Sequence, residues 1–168
     1  MKKAFVQFNL AVVFCTVLGC TAPSAEKKDD NDAMHIVEND LPFMHIRLLD
    51  QSEIDVRLLE GKIVLIFFQP DCDHCQREAI EIERNLGAFK NASLYFITSE
   101  AKEKAIRFAH DYKLNGVNAV YFGIATTESV LKNFGPIATP SIYIYSEDRK
   151  LVKAFNGEVE ISAVLKYI

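Results

Sequence analysis

Ile63-Val64-Leu65-Ile66-Phe67-Phe68-Gln69-Pro70-Asp71-Cys72-Asp73-His74-Cys75, continuing through Phe89, reads as a strand, a sharp turn, a pair of thiols and a helix in immediate succession. The run from Ile63 to Phe68 is unbroken, apolar and rich in β-branched and aromatic types, the pattern of a strand covered on both faces. Pro70 ends it. From Cys75 the apolar positions fall at Cys75, Ala79, Ile82, Leu86 and Phe89, while Arg77, Glu81, Glu83 and Arg84 take the other faces. That spacing predicts one amphipathic helix from Cys75 to Phe89.

The position of the first thiol suggests its chemistry. A Cys-x-x-Cys at a helix start holds one sulfur near unsatisfied backbone N–H groups and the positive end of the helix dipole, with the second sulfur one turn in and within disulfide reach. The thiolate is the reactive form, and a helix N-terminus or a nearby cation favours it. Cys72 is therefore expected to be the nucleophile and Cys75 the resolving partner. A protonated His74 would help form the thiolate, whereas Asp71 and Asp73 would oppose it.

The order of strand, turn, Cys72-x-x-Cys75 and helix resembles the thioredoxin-fold proteins. Thr139-Pro140, just before the strand-like Ser141 to Tyr145, is similar to that family's cis-proline, which lies beside the dithiol and helps receive the substrate chain. Over Leu41 to Ile168 the resemblance is to the membrane-anchored, outward-facing thiol-disulfide oxidoreductases of the TlpA and ResA kind. It implies a three-layer α/β sandwich with a central mixed β-sheet and an N-terminal β-hairpin extension. It implies further that Glu78, three residues after Cys75, assists proton transfer. Two positions depart from the pattern: Asp71 stands where tryptophan is usual, and Ile66 stands where thioredoxin keeps a buried aspartate. His74 before the second cysteine resembles the protein disulfide isomerase pattern, and the direction of electron flow stays open.

At 168 residues with 49% apolar content, the chain suffices for one well-buried domain. Its net charge of −4, with no basic run beyond Lys27-Lys28, argues against nucleic acid as a partner. Lys2 and Lys3 precede a mostly apolar segment, Ala4 to Leu18, which closes on Gly19-Cys20. This reads as a secretory leader over residues 1–19, and Val17-Leu18-Gly19-Cys20 resembles a bacterial lipobox that would make Cys20 the lipidated first residue. An uncleaved anchor helix is the alternative. Either way the domain is expected outside the cytoplasm, facing the periplasm, with the membrane reached through its anchor.

Residues 20–40 carry Pro23, Ser24, Lys27, Lys28, Asp29, Asp30 and Asp32 with little apolar periodicity, and read as a solvated tether to a domain at 41–168. Phe43–Leu49 and Ile54–Leu59 are predicted as a hairpin. Strands are expected at Leu94–Ile97, Ala119–Phe122, Ser141–Tyr145 and Leu151–Phe155. Helices are expected from Ser99-Glu100 to Asn115-Gly116, from Thr127 to Phe134 and from Glu160 to Ile168.

Other chemistries use the same residues. A closed zinc site needs two ligands beyond the thiols, and His35, His45, His74 and His110 include no second close pair. A copper or haem delivery module, using the thiols with a distant histidine such as His110, is the alternative from a different class. A peroxiredoxin would carry threonine three residues before its reactive cysteine, where Gln69 stands. The reading adopted is thiol-disulfide exchange with partner proteins, which needs no metal or organic cofactor; for the reducing direction the resemblance implies an electron donor in the membrane.

Overall fold

The computed structural model describes residues 39–168. The leader, Cys20 and most of the tether lie outside the described residues. Asn39 and Asp40 are tied to the domain: Asn39 Nδ2 donates to Arg57 O at 3.0 Å, and the Asp40 N–H donates to Arg149 O at 2.9 Å.

Seven strands form one mixed sheet: β1 (His45–Leu48), β2 (Glu53–Asp55), β3 (Lys62–Phe67), β4 (Ala92–Thr98), β5 (Val120–Ile124), β6 (Ser141–Tyr145) and β7 (Leu151–Asn156). Their order is β2-β1-β5-β4-β3-β6-β7. The pairs β3/β4 and β4/β5 are parallel, and the other neighbours are antiparallel. The helices are α1 (Asp73–Arg84), α2 (Lys102–Asp111), α3 (Thr127–Phe134) and α4 (Ile161–Val164). Among the described residues no helix is long and apolar enough to cross a membrane.

The unbroken apolar run is explained by β3 sitting inside the sheet with both faces covered. Val64, Ile66 and Phe68 pack with Cys75, Ala79 and Ile82 of α1, Ala105 and Phe108 of α2, and Val164 of α4. Ile63, Leu65 and Phe67 pack on the opposite face with Met44, Ile46 and Val56, and with Val130 and Phe134 of α3. This is the expected three-layer α/β sandwich with a mixed central sheet. Phe68, the residue after the strand, sits in an aromatic cluster, its ring centroid 4.5 Å from that of Phe108 and 5.9 Å from that of Phe96, which fixes the start of the loop leading to Cys72.

The N-terminal hairpin joins the sheet through β1, which lies antiparallel to β5 with Leu48 opposite Gly123. A Cβ at Gly123 would sit 2.1 Å from Ile46 Cγ2, so only glycine lets the hairpin close against β5.

Several boundaries differ from those expected. The first helix starts at Asp73 and stops at Arg84, because Asn85 turns its side chain back to accept duty as a cap, donating to Glu81 O at 2.8 Å; Leu86–Phe89 continue as a 3₁₀ turn. The second hairpin segment keeps only Glu53–Asp55 as strand, since Asp55 Oδ1 accepts from Arg57 N at 3.0 Å and starts a 3₁₀ turn at Val56–Leu58. The terminal helix divides into α4 and a 3₁₀ turn, Leu165–Tyr167. The α3 helix has the expected bounds, with Thr126 Oγ1 accepting from Ser129 N and Gly135 at φ 69° closing it.

Candidate active site

Cys72 is the N-cap of α1, with extended backbone at φ −92° and ψ 118°. Its N–H donates to Gln69 O at 3.1 Å, and its carbonyl accepts from Gln76 N at 3.0 Å. Gln76 Nε2 reaches back to Pro70 O at 3.0 Å, so the turn after β3 is closed by both backbone and side chain. This geometry leaves Cys72 half-buried, whereas Cys75, one turn into the helix, is 2% exposed. The Cys75 sulfur accepts from the backbone N–H of Gln69 at 3.4 Å. Burial pushes its thiol up to about 12, and the neighbouring Cys72 adds to the rise.

The Thr139-Pro140 peptide bond is cis and faces the dithiol: the Cys72 thiol points at Thr139 O across 3.7 Å. Asn156, at the end of β7, holds this loop. Its Oδ1 accepts from Ala138 N at 2.9 Å and from Ser141 Oγ at 3.0 Å, and the next amide, Gly157 N, donates to Pro140 O at 2.8 Å. Beside Thr139 lies a pocket of about 250 Å³ lined mainly by apolar groups, among them Phe67, Ile97, Val130, Leu131 and Ile137. A separate groove of about 660 Å³ runs between β1 and the starts of α2 and α3, and neither thiol lines it.

Glu78 is not the surface partner of His74 that its helix position would allow. It is 4% exposed, and neither carboxylate oxygen has a hydrogen-bond partner. Burial raises its carboxyl to about 8; the Val159 backbone amide pulls the other way, and the charge of Glu158 adds to the rise. Cys75 and Glu78 are three residues apart on one face of α1, so thiol and carboxyl share a dry helix face.

His74 is 60% exposed and pairs with Glu158, a residue 84 positions later in the loop after β7. Arg77 completes the group: its Nε donates to Glu158 Oε1 at 2.8 Å and its Nη2 to Oε2 at 2.8 Å. The hydrogen bonds to Arg77 and then His74 hold the Glu158 carboxyl down at about 2. On the other side of the turn, Lys104 of α2 meets Asp71 at 2.7 Å, offsetting part of the negative charge next to Cys72. His110, six residues further along α2 and so about 9 Å along its axis, is exposed and lies 3.6 Å from Asp111. Among the described residues no group of three or more His, Cys, Asp or Glu is arranged to hold a metal ion.

The structure therefore brings together Cys72, Cys75, Thr139 and Pro140, buries Glu78 one helical turn beyond Cys75, and turns His74 outward to Glu158. Sequence reading missed Asn156, Glu158, Arg77 and Lys104. Only Asn156-Gly157 carries a local signal, as a turn-forming dipeptide; the others act across distances that no local pattern records.

A model of the AhpC/TSA family matches residues 37–154. The thiol-disulfide oxidoreductase ResA of Halalkalibacterium halodurans is 24% identical over 166 residues, spanning 93% of this chain and 88% of that protein. A secreted Mycobacterium tuberculosis disulfide oxidoreductase homologous to E. coli DsbE superposes with a TM-score of 0.64 at 17% identity, covering 74% of this chain and 93% of that one. StoA from Bacillus subtilis superposes at 0.57 with 16% identity, covering 73% of this chain and 93% of its own.

Proposed function

The chain belongs to the AhpC/TSA family, and from that premise we propose that it is a thiol-disulfide oxidoreductase that exchanges disulfides with partner proteins through Cys72 and Cys75. The observation that carries this is the asymmetry of the pair: a half-buried cysteine at a helix N-cap, facing the Thr139-Pro140 loop, beside a cysteine that is 2% exposed. One can meet another polypeptide and the other cannot. The names of ResA and the Mycobacterium protein support the same activity.

In the reducing direction, the Cys72 thiolate attacks one sulfur of a partner disulfide. The partner's S–S bond breaks, its second sulfur leaves as a thiolate and takes up a proton, and a mixed disulfide remains. Cys75 then loses its proton to the Glu78 carboxylate and attacks Cys72; the Cys72–partner S–S bond breaks, and the partner's first sulfur leaves as a thiolate that takes up the proton Glu78 received. The partner has gained two electrons and two protons, and the chain keeps a Cys72–Cys75 disulfide. Reversing the steps oxidises a partner dithiol, with Glu78 returning the proton. Thr139 and Pro140 receive the partner chain beside the thiols, and His74 acts from the rim. Burial raises the Glu78 carboxyl to about 8 alongside the Cys75 thiol, so the carboxyl keeps pace with the thiol as its proton acceptor.

The leader and the Val17-Leu18-Gly19-Cys20 motif support an extracytoplasmic protein carried on lipid at Cys20, drawing electrons from a membrane donor when it works as a reductase. Titrating the two thiols against a glutathione buffer tests the exchange reading and resolves direction. A single two-electron couple is expected; a potential near that of thioredoxin, about −270 mV, marks a reductase, and one near about −180 mV marks an isomerase or oxidase. Thiols that stay reduced throughout the buffer range would refute it.

A further inference from the structure

The segment after β7 lies alongside Glu78, and one ion-pair cluster joins it to α1. Glu158 and Val159 belong to this segment and, with Arg77, Glu78 and Arg84 of α1, line a groove of about 800 Å³ between the two. Glu78 forms its dry floor, with both oxygens shut off from solvent and only the Val159 backbone amide acting on them. Segment and helix are joined by the side chain of Glu158, which grips Arg77 through two bonds of 2.8 Å and also meets His74. The partners are 81 and 84 residues apart in sequence, and all lie at the surface: His74 is 60% exposed, Arg77 53% and Glu158 34%. An ion pair so exposed contributes little to global stability. Its position is another matter, because it closes the lip of a groove over an unpartnered buried carboxyl.

We propose that Glu158 is a positioning residue: by clasping Arg77 and His74 it holds residues 158–161 down over Glu78 and keeps that carboxyl out of water. When the clasp opens, water reaches Glu78 and its proton affinity falls toward that of an ordinary glutamate. The buried carboxyl is then a weaker acceptor for the Cys75 proton. The inference deepens the proposed exchange reaction and rests on it only for this last consequence for rate. The charged and titratable groups facing Glu78 are His74, Cys75, Arg77, Glu81 and Arg84 on its own helix, and Glu158 and Glu160 on the covering segment.

Substituting Arg77 separates clasping from simple charge. Losing a cation beside Glu78 would, by charge alone, make its proton harder to remove and raise its titration midpoint. Opening the clasp predicts the opposite. Arg77→Met in the whole protein, with the Glu78 side-chain carboxyl followed by carbon-13 NMR and assigned by its loss in Glu78→Gln, reads the sign directly. We expect the midpoint to fall by at least one pH unit, a tenfold loss of proton affinity, and hydrogen exchange at the Val159 amide to quicken at least tenfold. A midpoint that stays or rises, or an unchanged exchange rate, overturns the clasp. An ordinary midpoint already present in the parent protein would instead refute both the dry carboxyl and its role in the reaction, so the two failures are distinguishable.

Discussion

One helical turn separates the buried Cys75 thiol from the buried Glu78 carboxyl, and both are held away from their ordinary ionisation by the same loss of water. A thiol pushed up to about 12 cannot supply much thiolate at neutral pH without a base beside it. If Glu78 is that base, the rate at which Cys75 resolves a mixed disulfide should rise tenfold per pH unit and level off near pH 8. In Glu78→Gln it should be slower at pH 7 and keep rising past pH 8 without a break, as stopped-flow release of a thiol from a preformed adduct would record. Stability carries the same signature. Because the folded carboxyl is raised, its favourable contribution is fully present below pH 4.5 and is lost as pH rises through about 8. The Gln variant should therefore gain on the parent across that window, by a few kcal/mol at its upper end in urea unfolding.

Among the elements, the loop before β6 matters most, because it faces Cys72 and is held from the far side of the sheet edge. Ser141 is fully buried, its hydroxyl donates to Ala138 O at 2.6 Å, and Asn156 opposite it in the β6/β7 ladder accepts from both Ser141 and Ala138. Asn156→Ala leaves the Ala138 amide without its acceptor and strips one partner from a buried hydroxyl. A loss of roughly 1–3 kcal/mol in unfolding free energy is expected, together with slower attack on a partner disulfide, since the surface that receives the partner chain loosens. Equal exchange rates in parent and variant would show that the loop does not depend on this tie. Element boundaries followed sequence only where a local signal decided them. Gly135 closes α3 at the expected helix stop, but the periodicity through Phe89 ran past Asn85, whose side-chain bond to Glu81 O ends α1.

Across the whole molecule, the sequence was most legible where chain-local chemistry and burial coincide. The apolar run of β3 announces a strand covered twice, and Cys72, Cys75 and Thr139-Pro140 announce the site they come to share. What stayed hidden depends on topology. That Glu78 would be buried at 4% exposure depends on what packs against α1 from elsewhere in the chain, and no helical spacing contains that. The pairing of Glu158 with Arg77 and His74, and of Lys104 with Asp71, likewise needs the sheet order to bring distant segments together. The account as a whole depends on Cys72 being the sulfur that meets the partner. Its most direct test is to mix the Cys75→Ser protein with a disulfide-bonded unfolded protein and map any covalent adduct by mass spectrometry. The account predicts a stable mixed disulfide, reversible by dithiothreitol, joined at Cys72 and absent from Cys72→Ser. Absence of an adduct, or an adduct that forms equally in the Cys72→Ser protein, would contradict it.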